Sequence, residues 1–124
     1  MRPLLPLLTA LVIVAACDET PVAASLTEVP AEYVGRWDVS AGDCEAGGGP
    51  QLVSVGPKDV VFADSHLTVS GVAPDGETAA RVDGHFKTAE AEWDGSVRLE
   101  LADGGKTLNV VNGSTMTPRV KCRP

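Results

Sequence analysis

Five Asx–Gly dipeptides recur through the second half of the chain and constrain its fold more than any other feature. They are Asp75-Gly76, Asp83-Gly84, Asp94-Gly95, Asp103-Gly104 and Asn112-Gly113, at spacings of 8, 11, 9 and 9 residues. Asx–Gly suits tight β-hairpins because both residues tolerate positive φ. Turns at intervals of about 8–12 residues are typical of an antiparallel barrel or sandwich, so we expect a turn at each pair.

Hydrophobic residues recur at every second position around these turns, which is typical of strands with one buried face. The pattern occurs at Tyr33-Gly35-Trp37-Val39, Val60-Phe62, Leu67-Val69-Gly71, Val97-Leu99-Leu101 and Leu108-Val110. No stretch has a helical stripe, since the helix-favouring run 89–92 is only one turn long. We therefore expect an all-β domain, a small antiparallel meander of seven to eight strands closed into a barrel, with a sandwich as the alternative.

The chain is acidic, with 17 Asp and Glu against 10 Lys and Arg and a formal charge of −7. Such a surface repels phosphate backbones, so we expect no nucleic-acid partner. Aromatic residues are few: Tyr33, Trp37, Phe62, Phe86 and Trp93. The core has to be built mainly from Val, Leu and Ala, and we expect it to be thin.

The N-terminus opens with Met1-Arg2-Pro3 and is then apolar from Leu4 to Ala16. One positive charge followed by about a dozen apolar residues has the organisation of a secretory signal peptide. A membrane-spanning helix needs about 20 apolar residues, and Asp18-Glu19 ends this run too early. A short buried segment is the alternative interpretation.

The apolar run closes as Val14-Ala15-Ala16-Cys17, which resembles the lipobox of bacterial lipoproteins. The resemblance implies cleavage before Cys17, a diacylglyceryl thioether on its sulfur and a further acyl chain, such as palmitate, on its amine. Two or more acyl chains hold a protein firmly on a bilayer. We therefore expect a lipid-anchored protein of the bacterial cell envelope whose domain faces the periplasm. An ordinary signal peptide with a chance cysteine is the alternative.

Asp18, directly after this cysteine, resembles the signal that retains lipoproteins in the inner membrane of enteric bacteria. Because the rule varies between bacterial groups, the outer membrane stays open. The chain then divides into a signal peptide (1–16), a lipidated N-terminus with a flexible tether (17–31) and a β-barrel domain (32–124), with strand pairing by residues 26–29 as a further option. Removal of residues 1–16 leaves 108 residues and, because Arg2 is lost, a formal charge of −8.

The three cysteines indicate an oxidising compartment. If Cys17 carries lipid, Cys44 and Cys122 remain, and an exported domain normally joins such a pair. We expect this disulfide to close a loop of 78 residues, from the end of the first strand to the last strand. Two free buried thiols are the alternative.

Gly35-Arg36-Trp37, at the start of the first strand, resembles the opening of the lipocalin-like, or calycin, barrels. The resemblance implies that Trp37 plugs the closed end of the barrel and that an arginine near the C-terminus, Arg119 or Arg123, packs over its ring. An arginine over an indole gains roughly 0.5–2 kcal/mol of cation–π attraction. The alternative is that Trp37 is simply a core residue.

Residues 34–44, Gly-x-Trp followed shortly by Cys44, also resemble the first strand of small periplasmic metalloprotease inhibitors, which are eight-stranded barrels. The second cysteine of that family lies much nearer the first than Cys122 does. Those inhibitors insert a free N-terminus into the protease, whereas here the N-terminus is expected to carry lipid. The candidate binding element is therefore the glycine-rich loop Ala46-Gly47-Gly48-Gly49-Pro50, with its base held by the Cys44–Cys122 bridge.

Catalytic and metal motifs are weak in this sequence. Asp64-Ser65-His66 and Asp83-Gly84-His85 each place a carboxylate two residues before an imidazole, as a pair of metal ligands on one strand face would require. We interpret them as surface residues at hairpin ends and expect no metal, with any role of His66 and His85 left open. The chain has no Gly-x-Ser-x-Gly elbow and no phosphate-binding loop, so we expect no catalytic residues and no enzyme.

Arg119, Lys121 and Arg123 alternate with Val120 and Cys122 and predict a basic face on the last strand. Protection of a sheet edge is the favoured interpretation, and a docking strip for an acidic partner is the other. Taken together, the sequence predicts a membrane-anchored, non-catalytic binding module, whose sharpest form is an inhibitor of a secreted hydrolase, a protease or lysozyme. A structural or assembly component and a carrier of a small apolar ligand are the alternatives. No cofactor is expected besides the covalent lipid on Cys17.

Overall fold

A computed structural model describes residues 26–124, which form eight strands with short connections. The strands are β1 (Gly35–Asp38), β2 (Val53–Val55), β3 (Asp59–Val61), β4 (His66–Pro74), β5 (Ala79–Lys87), β6 (Glu92–Ala102), β7 (Thr107–Asn112) and β8 (Thr115–Lys121). One short helix, α1 (Ala41–Glu45), and two single-turn 3-10 helices, Ala31–Tyr33 and Asp103–Gly105, complete the described chain. The predicted signal peptide, the lipobox with Cys17, and Asp18 lie outside the described residues.

Each strand pairs antiparallel with the next along the chain, and β8 pairs with β1 to close the barrel. The closing register places Trp37 opposite Lys121 and Asp38 opposite Val120. The prediction of a closed antiparallel meander is therefore confirmed over the sandwich. Because β8 has a hydrogen-bonded neighbour on both sides, the interpretation of its basic residues as edge protection was wrong.

The core fills the barrel with one inward row from each strand. Its fully buried side chains include Trp37, Val60, Leu67, Val82, Val97, Leu99 and Leu108, so the predicted alternation is confirmed in β6 and β7. It fails at the end of β1. The strand stops at Asp38, whose side chain is fully buried, while Val39 is 41% exposed. The main-chain nitrogens of Val39 and Gly49 each donate to an Asp38 carboxylate oxygen at 2.8 Å, which explains how this charge is accommodated.

Only some Asx–Gly pairs form turns. Asp75-Gly76, Asp103-Gly104 and Asn112-Gly113 lie at hairpin connections, with each glycine at positive φ. Asp83-Gly84 and Asp94-Gly95 lie inside β5 and β6, where the two glycines face each other, so the prediction of turns there was wrong. A Cβ at Gly84 would lie 2.0 Å from the carbonyl oxygen of Thr68, and the close approach of β4 therefore requires glycine.

The true turn between β5 and β6 has no Asx–Gly signal. It spans residues 88–91, and the main-chain nitrogen of Thr88 donates to the carbonyl oxygen of Ala91 at 2.8 Å. The Thr88 hydroxyl oxygen accepts from the nitrogens of Glu90 and Ala91 at 3.2 and 3.0 Å. A threonine side chain thus provides the local bonding expected from Asx–Gly.

The two ends of the barrel differ. At the end with the β2–β3, β4–β5 and β6–β7 turns, here called the closed end, residues 26–34 cross the barrel wall. Leu26 and Val72 exchange main-chain hydrogen bonds, and the nitrogen of Val29 donates to the carbonyl oxygen of Pro57. Val29 and Tyr33 are buried. The described part of the segment assigned to the tether, 26–31, is therefore packed on the barrel.

The predicted disulfide joins Cys44 in α1 to Cys122 just after β8, with the Cα atoms 5.3 Å apart. Helix α1 starts at Ser40, whose hydroxyl oxygen accepts from the nitrogen of Asp43 at 3.1 Å, a normal N-cap. The nitrogen of Cys122 donates to the carbonyl oxygen of Arg36. The bridge therefore fastens α1 to the outside of the β1–β8 seam.

Candidate binding site at the barrel mouth

The end opposite the closed end has a cavity of about 250 Å³, here called the mouth. It is lined by residues 50–53 from the β1–β2 connection and β2, residues 62–64 from the β3–β4 turn, and Arg119 from β8. The cavity forms because β1, β2 and β3 have only three or four residues each, whereas β4, β5 and β6 have nine to eleven. The wall is therefore low on one side and the interior is reachable there.

Arg119 is the buried charged side chain of this cavity, 6% exposed, whereas Asp64, which also lines it, is exposed. Its Nε donates to the carbonyl oxygen of Gln51 at 2.7 Å, and Nη2 donates to the Gln51 side-chain oxygen at 3.4 Å. Nη1 donates to the carbonyl oxygen of Thr117 at 3.1 Å. A guanidinium has five N–H donors, so these bonds to neutral oxygens leave two donors without a protein acceptor among residues 26–124.

No carboxylate of the described chain lies within 4.0 Å of the Arg119 nitrogens. Burial lowers the pKa of the Arg119 guanidinium from its ordinary value, and the negative charge of Asp38 acts in the opposite direction. An arginine nevertheless stays protonated in proteins. The mouth therefore holds a desolvated positive charge whose direct hydrogen-bond acceptors in the described chain are neutral oxygens, with the charge of Asp38 acting on it from beyond 4.0 Å.

Three aromatic rings continue from the cavity to the surface. Phe62 lines the cavity, and its ring centroid lies 6.4 Å from that of Phe86. Phe86 is buried and stacks on Trp93 at 5.3 Å with an interplanar angle of 10°. Trp93 is 45% exposed. Gly95 provides the space, because a Cβ there would lie 3.2 Å from the Phe86 ring.

The predicted binding loop, Ala46 to Pro50, lies along the outside of β1 and does not project freely. Nη2 of Arg36 donates to the carbonyl oxygen of Gly47 at 2.9 Å, and the nitrogen of Gly49 donates to Asp38 at 2.8 Å. Gly48 has φ +116°, and a Cβ there would lie 2.7 Å from a Leu52 methyl group. The glycines are thus needed for this path, while Pro50 reaches the mouth.

The predicted plug residues separate in space. Trp37 is fully buried, and its Nε1 donates to the carbonyl oxygen of Tyr33 at 2.9 Å. The cation over its ring is Lys121, with Nζ 5.5 Å from the centroid, which differs from the expected Arg119 or Arg123. The reason is the closing register, which puts Lys121 directly opposite Trp37. Arg119 lies two residues earlier at the mouth, and Arg123 is exposed beyond the strand.

The two carboxylate–imidazole pairs are dispersed. Asp83 pairs with Arg81 at 3.1 Å, whereas His85 contacts Asp94 at 2.9 Å and Glu92 at 3.3 Å across the β5–β6 hairpin. Hydrogen bonds from the His85 ring to the carboxylates of Asp94 and Glu92 raise the pKa of His85. His66 lies 3.3 Å from Asp59. Within residues 26–124, no cluster of three or more ligating side chains has the arrangement a metal ion requires.

Protein-family models, curated proteins and solved structures yield no match to this chain. In the part of the chain that the structure describes, no helix has both the length and the apolar character needed to cross a bilayer. Candidate functional residues are therefore inferred from the barrel itself.

The sequence did not single out Gln51 and Phe62 of the mouth as a site, nor Phe86 and Trp93, which continue the aromatic row from Phe62 to the surface. The alternation of hydrophobic residues placed Phe62 on an inward row, but it could not show that this row ends in an open cavity. Arg119 was singled out for another role. The missing information is strand length, because the short β1, β2 and β3 expose the interior.

Proposed function

We propose that this protein is a membrane-anchored lipoprotein of the bacterial cell envelope that acts as a non-catalytic binding module, with its mouth as the contact surface. The observation that carries the proposal is the buried Arg119 beside an open cavity, with Trp93 exposed at the outer end of the aromatic row that begins at Phe62 in the cavity. Arginine and tryptophan are the residue types most enriched at binding hot spots. Here both are held by a closed, disulfide-bridged barrel, and rigid presentation limits the entropy lost on binding.

The proposed anchor agrees with this use of the mouth. Leu26 pairs with Val72, two residues before the end of β4 at the closed end. Eight residues lie between Cys17 and Leu26, and an extended chain over these nine steps spans at most about 30 Å. Lipid on Cys17 would therefore hold the closed end near the bilayer and leave the mouth available to a partner in the periplasm.

The sharpest form of the proposal is inhibition of a secreted hydrolase, a protease or lysozyme. A small rigid barrel that inserts a rim into a cleft fits this use. The rim includes Pro50, the last residue of the predicted loop, next to Gln51. The competing function is a structural or assembly component of the envelope, which would use the same rim for a permanent contact.

Carriage of a small apolar ligand has less support. Ligand cavities commonly measure about 300–1,000 Å³, whereas the mouth measures about 250 Å³. The barrel interior below it is filled by Leu67, Leu99 and Leu108. The mouth is the right size for one side chain of a partner.

Photo-crosslinking in intact cells tests the binding surface. A photoreactive amino acid replaces Trp93 at the mouth or, as the matched control, Lys58, whose side chain is 75% exposed near the closed end. We expect a discrete crosslinked partner from position 93 and none from position 58. Equal labelling from both positions, or labelling from neither, would contradict a mouth-directed binding module.

Titration of the purified lipoprotein against secreted proteases and lysozymes tests inhibition. Trp93→Ala at the mouth and Ala46→Lys on the outer loop separate the two candidate surfaces, because both positions are exposed. Inhibition that is weakened by Trp93→Ala but not by Ala46→Lys supports the mouth. A crosslinked partner that is no hydrolase, with no inhibition at micromolar concentration, assigns the protein to the structural class.

A further inference from the structure

We propose that the mouth recognises a carboxylate of a partner polypeptide, held by the guanidinium of Arg119 with an adjoining apolar side chain against Phe62. This inference rests on the proposed binding function and names the chemistry of the group that is bound. The observation that carries it is a guanidinium 6% exposed, facing a cavity, with neutral oxygens as its acceptors in the described chain.

Charge balance favours an anion at this position. Buried charged groups in proteins are normally paired with an opposite charge. Even the partly exposed Arg81 and Arg98 have carboxylate partners on the outer wall, with Asp83 3.1 Å and Asp75 2.7 Å away. Arg119 is far more buried than either, and among residues 26–124 the negative charge of Asp38 acts on it only from beyond 4.0 Å. A ligand carboxylate would supply the missing charge in a site where Coulomb attraction is weakly screened.

The geometry of the donors fits a carboxylate. Three N–H groups of Arg119 are used by Gln51 and Thr117, and the remaining two are left for a ligand. A planar carboxylate accepts two parallel bonds from a guanidinium, which is the strongest common pairing of these groups. The Gln51 side chain fixes the orientation of the guanidinium without neutralising it.

The size and walls of the mouth indicate a group carried by a polypeptide. A cavity of about 250 Å³ accommodates one side chain or a chain terminus, with the rest of the segment outside. Phe62, Phe86 and Trp93 then form a continuous aromatic wall that leads from the cavity to the surface. A peptide segment with an apolar residue next to its carboxylate would contact both parts of the site.

Asp64 opposes this assignment in part, because it lines the same cavity and is exposed. An exposed carboxylate acts through water and is strongly screened, whereas Arg119 is desolvated. We therefore expect Asp64 to reduce the affinity without reversing the preference. Asp64→Asn should strengthen carboxylate binding, which makes it a variant with the opposite sign.

The test uses the full lipoprotein in lipid nanodiscs and three matched probe pairs. N-acetylphenylalanine and its amide represent a chain terminus. Blocked tripeptides acetyl-Phe-Glu-Ala-amide and acetyl-Phe-Gln-Ala-amide represent a side chain, and hexanoate and hexanamide represent a free aliphatic acid. Binding is followed by NMR shifts of the Gln51 and Ala63 amides and by fluorescence of Trp93.

We expect at least one peptide acid to bind about tenfold more tightly than its amide, since hydrogen bonds to a charged acceptor are roughly twice as strong as neutral ones. The pair that shows the preference identifies the carboxylate as terminal or side-chain. Equal affinities for acid and amide in every pair, or a preference confined to hexanoate, would overturn the proposal.

Variants keep the result interpretable. Arg119→Lys retains the charge and loses the planar fork, and we expect it to remove most of the preference. Arg123→Gln is the matched control, because it removes one exposed cation from the same end of the chain and should change nothing. Should Arg119→Lys fold poorly, Ala63→Trp leaves Arg119 intact and fills the mouth, and it should abolish binding. Binding of the acid that survives Ala63→Trp would also overturn the proposal.

Failure of this inference is distinguishable from failure of the proposed function. A partner crosslinked from position 93 together with no acid preference contradicts the carboxylate site and leaves the binding module in place. An acid preference without any crosslinked partner supports the carboxylate site and contradicts the binding module.

Discussion

Strand β8 sends Lys121 to the closed end of the barrel and Arg119 to the mouth, and the two ends accommodate these cations differently. Lys121 is exposed and lies over the ring of the buried Trp37. Arg119 is buried, donates to Gln51 and Thr117, and lines an open cavity. Both side chains belong to the same inward row, two residues apart, so the difference comes from what surrounds them.

The comparison separates a structural cation from a binding one. A lysine at the surface keeps its ammonium hydrated while its charge is attracted to an indole, so it adds stability at little cost. A buried guanidinium without a carboxylate loses hydration and recovers only part of it through neutral acceptors. The closed end therefore resembles an ordinary core boundary, whereas the mouth has a buried cation with no carboxylate of the described chain within 4.0 Å.

The largest expected effect comes from the disulfide, which holds the seam shared by both ends. Cys44→Ala with Cys122→Ala should lower the free energy of unfolding by roughly 4–5 kcal/mol, an upper figure from the entropy of a 78-residue loop. Urea denaturation of the variant and the parent measures it. A change below about 1 kcal/mol would show that the β1–β8 pairing closes the barrel without the bridge.

The next largest effect should come from truncation of the two tryptophans, and the loss of stability should differ between the two ends of the barrel. Trp37→Ala should cost about 3–5 kcal/mol, because the ring is fully buried at the closed end. Trp93→Ala should cost no more than about 2 kcal/mol, from one stacked pair and partial burial. Thermal and urea unfolding compare them. Equal losses would mean that Trp93 is a core residue and would weaken its assignment to a binding surface.

The two cations of β8 make the comparison directly, with a smaller effect. Arg119→Met should lower stability by about 1–3 kcal/mol, because the carbonyl oxygens of Gln51 and Thr117 lose their donors. Lys121→Met should lower it by about 0.5–1 kcal/mol, the value of an exposed cation–π contact. The same denaturation series checks both. A larger loss for Lys121→Met would show that the hydrogen bonds of Arg119 stabilise the fold less than the contact of Lys121 with Trp37 does.

Much of the fold was predictable from the sequence, because the alternation of hydrophobic residues along a strand and the residue preferences of turns are local signals. Val97 and Leu99 are buried as the pattern predicts, and Gly76, Gly104 and Gly113 occur in turns. Gly84 and Gly95 show the limit. The same dipeptide serves a turn or a strand, and only the approach of Thr68 to Gly84 decides between them. That contact joins residues far apart in sequence, which no local pattern contains.

The site was less predictable for a similar reason. Alternation placed Arg119 on a basic strand face, the resemblance to calycins placed Arg119 or Arg123 over Trp37, and the cysteine count paired Cys44 with Cys122. None of these shows where the wall of the barrel is low. The register between β1 and β8 decided that Lys121, not Arg119, lies over Trp37. Register depends on the length of the connections and on packing across the closed sheet, so a two-residue difference along β8 separates a core contact from a cavity.

The smallest expected effect concerns the outer face of the β5–β6 hairpin, whose inner face carries Phe86 and Trp93 at the mouth. Hydrogen bonds from the His85 ring to the carboxylates of Asp94 and Glu92 raise the pKa of His85 above the ordinary value of 6.5. A raised folded-state pKa means that the stabilising contact is present below about pH 6.5 and is lost as the pH rises through the higher folded value. NMR titration of the His85 ring should therefore give a midpoint above 6.5 that falls in Asp94→Asn.

Asp83→Asn is the matched control, because Asp83 is nearer in sequence but pairs with Arg81, and it should leave the midpoint in place. A midpoint at or below 6.5, or an equal response to both variants, would show that this face of the hairpin tip is not held as the structure describes and would leave the rigidity of the rim beside Trp93 without support.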